Sequence, residues 1–167
     1  MALRDAVRGT IRHPMRAYYL PIAAAVLLGS SAFMPWIAIG TQRLGGVPDI
    51  AGFWILGLST LAVVLAGLSI STGKNSRHPL LLVGLFAGGV LFLAERLLER
   101  NASQQAWVAA QARAIVDGVA ASPTPEPTMA TGAYLGIAAA TIIALFGLTV
   151  VVQRAPQIYA LADDDDV

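Results

Sequence analysis

Apolar residues run along this chain in four long blocks, at about 17–40, 51–70, 79–95 and 131–152, with two short connecting segments and one long one between them. The second block, Ala51 to Ile70, carries no charged residue. At about 1.5 Å per residue it crosses a hydrocarbon core of roughly 30 Å as a helix. The pattern predicts an all-α integral membrane protein, a bundle of four transmembrane helices arranged as two hairpins over 17–71 and 79–152. Residues 72–78 form the loop that joins them.

The segment between the third and fourth blocks has a different periodicity. Over 95–119, helical spacing gathers Leu97, Leu98, Val108, Ala112, Ile115 and Val116 on one side and Glu95, Arg96, Glu99, Arg100, Arg113 and Asp117 on the other. This predicts an amphipathic helix in the second outer loop, bending near 101–105. An apolar face that broad must lie on the bilayer, cap the bundle or dock a partner. Leu97, Leu98, Trp107, Ile115 and Val116 are the candidate partner contacts. Residues 122–128, Ser-Pro-Thr-Pro-Glu-Pro-Thr, read as an extended Pro-rich tether back to the membrane.

Both ends of the chain are polar in distinct ways. Over 1–16, Arg4, Arg8, Arg12 and Arg16 recur every fourth residue opposite Leu3, Val7 and Ile11, the pattern of a helix lying on an anionic leaflet. The tail 153–167 ends in a run of four Asp, Asp163 to Asp166.

Composition narrows the class further. Hydrophobic residues make up 56% and charged residues 13% of the chain, against roughly 25% charged in soluble domains. Seven of the eleven basic residues (Arg4, Arg8, Arg12, Arg16, Lys74, Arg77, Arg154) fall beside one set of span ends. The positive-inside rule then places both termini in the cytoplasm and the loops at 41–50 and 95–130 outside. One Lys against ten Arg, with abundant Ala and Gly, fits a GC-rich bacterial genome and hence a bacterial cytoplasmic membrane. Cys is absent, which removes disulfides, thiolate metal sites and thiol catalysis, and the outer loops lack the paired Cys of claudin-type tetraspans. No basic stripe interleaved with aromatics offers a nucleic-acid groove.

The two hairpins read as a tandem duplication. Arg12-His13-Pro14 precedes the first block and Arg77-His78-Pro79 the third, and the second and fourth blocks align at an offset of 80, pairing Gly52 with Gly132 and Gly67 with Gly147. His13 and His78 as haem ligands are disfavoured, because each stands before a Pro and beside Arg at the water interface, so no cofactor is expected. Small residues four apart, Gly84 with Gly88 and Gly132 with Gly136, are candidate helix-packing positions. Trp36, Trp54 and Tyr134, with Tyr18 and Tyr19 at the other end, read as interfacial aromatic belts, and the hydroxyls of Ser30, Ser31, Ser59, Thr60 and Thr141 as bonds back to their own helices.

No ionisable residue lies deep in any block, which disfavours pumps and ion-coupled carriers. No His stands beside a Ser on the outer side, so the chain is not expected to be an enzyme. The expected role is a non-catalytic accessory or structural subunit of a larger bacterial membrane complex, with other membrane protein subunits and the lipid bilayer as partners. The alternative is a small tetraspan handler of an apolar ligand, a lipid or quinone.

Overall fold

The computed structural model describes residues 16–118, 120 and 123–153. The amphipathic N-terminal segment, the Arg12-His13-Pro14 triplet and the acidic tail lie outside the described residues. After a 3₁₀ turn at Arg16–Tyr18, the chain forms helix α1 (Tyr19–Ser31), strands β1 (Ile37–Ile39) and β2 (Gln42–Leu44), helices α2 (Ile50–Thr72) and α3 (Arg77–Asp117), strand β3 (Thr128–Met129) and helix α4 (Thr131–Gln153). The protein is mostly helical, and α2, α3 and α4 are each long and apolar enough to cross a membrane. Each helix packs on two others, in the cyclic order α1, α2, α3, α4.

The first apolar block is not helical throughout. Its helix has 13 residues, and the remainder turns at 32–36 and enters a strand. Pro35 disfavours helical backbone in the residue before it, and Ile37-Ala38-Ile39 alternates in the manner of a strand with one buried face. Ile37 and Ile39 are accordingly buried and Ala38 is half-buried. Gly40, at φ 55°, leads a two-residue turn into β2, the backbone shape a tight hairpin requires. The sheet has the order β2-β1-β3, antiparallel throughout, with Ile37 opposite Leu44 and Met129. The end of the tether thus becomes a strand.

The amphipathic segment is a direct continuation of the third apolar block. Helix α3 runs unbroken for 41 residues, about 62 Å at ~1.5 Å per residue and twice a hydrocarbon core. No Gly or Pro interrupts residues 90–117, and Ala, Leu, Glu, Arg and Gln favour helix, so nothing breaks it at 101–105. It stops at Gly118, whose left-handed φ of 63° lets its N–H bond the Ala114 carbonyl.

Small residues set how closely the helices approach. A Cβ on Gly84 would stand 2.5 Å from the backbone nitrogen of Ala144, and one on Gly147 would stand 2.5 Å from that of Leu81, so α3 and α4 meet backbone to backbone. Ser59 crosses between helices, its hydroxyl donating to the Ala25 carbonyl of α1 at 2.8 Å, whereas Ser30, Ser31, Thr60 and Thr141 bond within their own helices. The reason is Gly29, whose missing side chain brings α1 within reach of the Ser59 hydroxyl.

The two ends of the bundle are closed by different means. At the end opposite the sheet, the buried Tyr18 hydroxyl donates to Asn75 Oδ1 (2.8 Å) and accepts from the Ser76 N–H (3.1 Å). Its ring meets Phe146 edge-on at 5.1 Å, and the Arg77 guanidinium lies 5.5 Å from the other ring's centroid. Ser76 also bonds the Leu65 carbonyl and the Ser69 hydroxyl. Tyr18 is therefore a latch between α1 and the α2–α3 loop, not a belt residue; Tyr19 beside it is exposed.

At the sheet end Trp36 is 0% exposed. Its indole N–H donates to the Ser31 carbonyl at 3.0 Å, its backbone N–H to Leu44 at 2.9 Å, and its carbonyl accepts from Ala130 at 2.8 Å. Trp54 and Tyr134 remain exposed. Replacement Trp36→Ala is expected to destabilise the protein by about 3–5 kcal/mol through the cavity it opens, and Trp54→Ala by less than half of that. Thermal unfolding of the two variants in one mild detergent distinguishes them, and equal losses would contradict the keystone role of Trp36.

Candidate contact surface at the sheet end

The outer half of α3 rises from the bundle with one side against the sheet. Ile37 and Ile39 of β1 pack on Ala102, with Leu44, Leu98 and Ala106 around them. A Cβ at Gly45 would lie 2.8 Å from Trp36 Cβ and 3.1 Å from a Leu98 methyl, so Leu98 sits beneath the turn that follows β2. Leu98 is half-buried: one turn above Ala94, it falls on the side of α3 that packs against the sheet and the turn after it.

The other four proposed contacts are exposed; Val116, five full turns beyond Leu98, shares its side of the helix but lies past the sheet. Leu97 is 57% exposed, Trp107 59%, Ile115 80% and Val116 83%. Val108 joins them at 58%. The sheet covers one side of this half-helix, and among the described residues nothing covers the opposite side. Of the charged residues, Arg96 is drawn to Glu99 at 3.2 Å and to the Phe92 ring at 5.5 Å from its centroid.

The helix-packing glycines are also spread unevenly. Gly84 abuts α4, as described above. Gly132 lies against the backbone of Pro35, where a Cβ would come 2.6 Å from the carbonyl oxygen, and Gly136 against the Ser31 hydroxyl at 2.8 Å. Nothing approaches a Cβ at Gly88 within 4 Å, so among the described residues no neighbouring helix crosses there. Gly84 and Gly88 are one turn plus 40° apart, and α4 crosses α3 on the Gly84 side only.

Two concavities flank these elements. A cleft of about 600 Å³ opens between the hairpin turn (Gly40 to Gln42), the outer part of α3 (Gln105, Arg113, Asp117) and the tether (Pro123 to Pro125). Pro125 packs on Gly40, a Cβ there standing 3.6 Å from Pro125 Cγ, so the tether arches over the cleft and is held at the hairpin tip. A shallower apolar groove of about 460 Å³ lies along α2 at Ile50, Phe53, Trp54, Gly57 and Leu61. The sequence reading missed the cleft because it took 41–50 as a plain loop. The signal was present in Ile37-Ala38-Ile39-Gly40 followed by Gln42-Arg43-Leu44-Gly45-Gly46, short alternating runs punctuated by glycine.

Comparison with protein-family models, curated proteins and solved structures gives no match for this chain.

The division of α3 into an inner and an outer side has a direct test. Leu98→Asp is expected to cost several kcal/mol, because it places a charge against Trp36 and Ile37. Leu97→Asp, one residue away, is expected to stay within about 0.5 kcal/mol. Unfolding transitions of the two variants in detergent check this, and a Leu97→Asp loss as large as that of Leu98→Asp would refute the assignment of sides.

Proposed function

We propose that this chain is a non-catalytic accessory or structural subunit of a larger bacterial membrane protein complex, and that the outer half of α3 is its principal contact element. One observation carries the reading. A helix of 41 residues carries Trp107, Val108 and Ile115 about 45 to 57 Å from its start at Arg77, at ~1.5 Å per residue beyond the reach of a hydrocarbon core, and leaves them exposed. Such a face is a contact surface in search of its other half. The continuity of α3 and its packing on the sheet through Ala102 support a contact role for this segment over one in which it lies on the bilayer.

The remaining parts of the reading follow from this placement. We take α1 as a fourth span: its 13 residues and the preceding turn reach about 25 Å, and it packs between α2 and α4. The basic residues at the Tyr18 end put that end and both termini in the cytoplasm and the sheet outside a bacterial cytoplasmic membrane. Duplication of a hairpin accounts for Gly52 and Gly132, which stand at the start of α2 and α4 and each admit a crossing backbone, at Gly46 and Pro35. The second glycine pair has diverged, since Gly147 is tightly packed and Gly67 meets nothing within 4 Å.

The apolar groove on α2 favours a second reading, in which the chain holds a lipid or quinone against Phe53 and Trp54. Affinity purification in a mild detergent separates the two. A wild-type chain is expected to bring other membrane proteins with it, and the double variant Trp107→Asp, Ile115→Asp to insert and fold normally but lose them. Purification of the wild type alone, carrying lipid or quinone, would defeat the subunit reading and favour the handler.

A further inference from the structure

The cleft at the sheet end differs from the apolar surfaces around it in what lines it. On its α3 wall two neighbouring ridges run at steps of four residues, Gln105, Ala109, Arg113 and Asp117 on one and Ala106, Ala110 and Ala114 on the other. The alanines leave the space, and the longer side chains border it. From Gln105 to Asp117 the wall is about 18 Å long at ~1.5 Å per residue, so a volume of about 600 Å³ makes the cleft long and narrow. That wall lies about 42–60 Å from the start of α3, beyond a hydrocarbon core of roughly 30 Å, so whatever enters the cleft comes from water. No aromatic residue lines it, which leaves a flat ring nothing to stack on. The amides of Gln42 and Gln105, the hydroxyls of Thr41 and Thr124, and the charges of Arg113 and Asp117 do line it. Among the described residues none of these six side chains has a hydrogen-bond or ion-pair partner within the protein.

We infer that this cleft binds a small zwitterionic solute of di- or tripeptide length, with its carboxylate on Arg113 and its ammonium on Asp117. The inference goes beyond the subunit reading, since the cleft is on the sheet side of α3 and not on the exposed face. Three observations select this chemistry. First, Arg113 and Asp117 stand one turn apart, with Cβ atoms about 5–6 Å from each other, yet they form no ion pair. A helix favours such a pair when the acid comes first, and here the order is reversed. Second, the two charges cancel, so a solute of a single sign meets one partner and one repulsion, whereas a zwitterion meets two partners. The planar guanidinium takes a carboxylate through two parallel hydrogen bonds, and the Asp carboxylate accepts from an ammonium. Third, the spacing selects the length. At ~3.3–3.6 Å per residue the ends of an extended di- or tripeptide stand about 7–10 Å apart, a span that two side chains one turn apart bracket. The two charges of a free amino acid share a single carbon and fall short of it. Peptide N–H and C=O groups match the Gln amides, each of which donates and accepts. The alanine ridge leaves room for the side chains of the peptide.

Trialanine is the probe, titrated into the full chain purified in a mild detergent and followed by calorimetry. Saturable binding at one site is expected. Arg113→Gln and Asp117→Asn should each weaken it about tenfold, the loss of one charge-assisted contact. Both side chains are exposed, so the variants keep the wild-type unfolding transition. Ala109→Trp, which keeps both charges and fills the cleft, should abolish binding. Trimming the probe assigns each charge to its partner. N-acetyl-trialanine should bind wild type and Asp117→Asn equally weakly, and trialanine amide should do the same with wild type and Arg113→Gln. Alanine itself should bind about tenfold more weakly than trialanine, since it engages one charged partner at a time. Binding of alanine as tight as that of trialanine would overturn the peptide length and leave a free amino acid as the ligand. No binding of trialanine at millimolar concentration, or equal affinity in wild type and both charge variants, would overturn the site.

Discussion

The sheet end of this protein depends on the burial of one tryptophan. Trp36 enters the space between the helix ends, and its three hydrogen bonds tie together the end of α1, the β-hairpin and the segment that enters α4. Near lipid, an unpaired backbone group costs several kcal/mol, so a chain leaving a short helix needs partners at once. The strands around Trp36 supply them. Gly45 and Gly46 follow because a side chain at either would strike the indole or the Ala32 carbonyl. With the sheet fixed, Ile37 and Ile39 present a hydrophobic wall, and the outer half of α3 leans on it through Leu98 and Ala102.

Within the bundle the governing constraint is distance. Lipid tails are as apolar as leucine, so helices gain by approaching more closely than lipid can. Gly84 and Gly147 let α3 and α4 meet at backbone contact, and Gly29 lets Ser59 reach across to α1. The Tyr18 latch closes the other end, so α1, the shortest helix, is pinned at both its termini.

The helices were legible in the sequence because apolar runs of about 20 residues have few alternatives. So was the amphipathic character of 95–117, since helical periodicity survives whatever the helix packs on. Direction was harder to read. Leu97 and Leu98 are adjacent and equally apolar, and only the position of Trp36 decides which faces inward. Trp36 and Tyr18 were read as belt residues because aromatic residues at span ends usually are; burial there comes from strands and loops whose pairing is non-local. Met129 pairs with Ile37 across more than 90 positions of chain, a contact that no local pattern announces. The spacing of Gly84 and Gly88 likewise shows that two glycines share a face, not which of them a neighbouring helix crosses.

The central claim is that the exposed side of outer α3 is covered when the protein is at home in its membrane. On the proposed orientation, with the sheet end outside, thiol labelling tests it most directly, comparing Ile115→Cys with Arg43→Cys on β2, first in intact cells and then in the purified monomer, with a membrane-impermeant maleimide. Ile115→Cys is expected to be labelled slowly in cells and quickly once the chain is isolated, while Arg43→Cys is labelled quickly in both. Labelling of Ile115→Cys in cells at the rate seen in the isolated monomer would show that nothing covers this face, and would contradict the account.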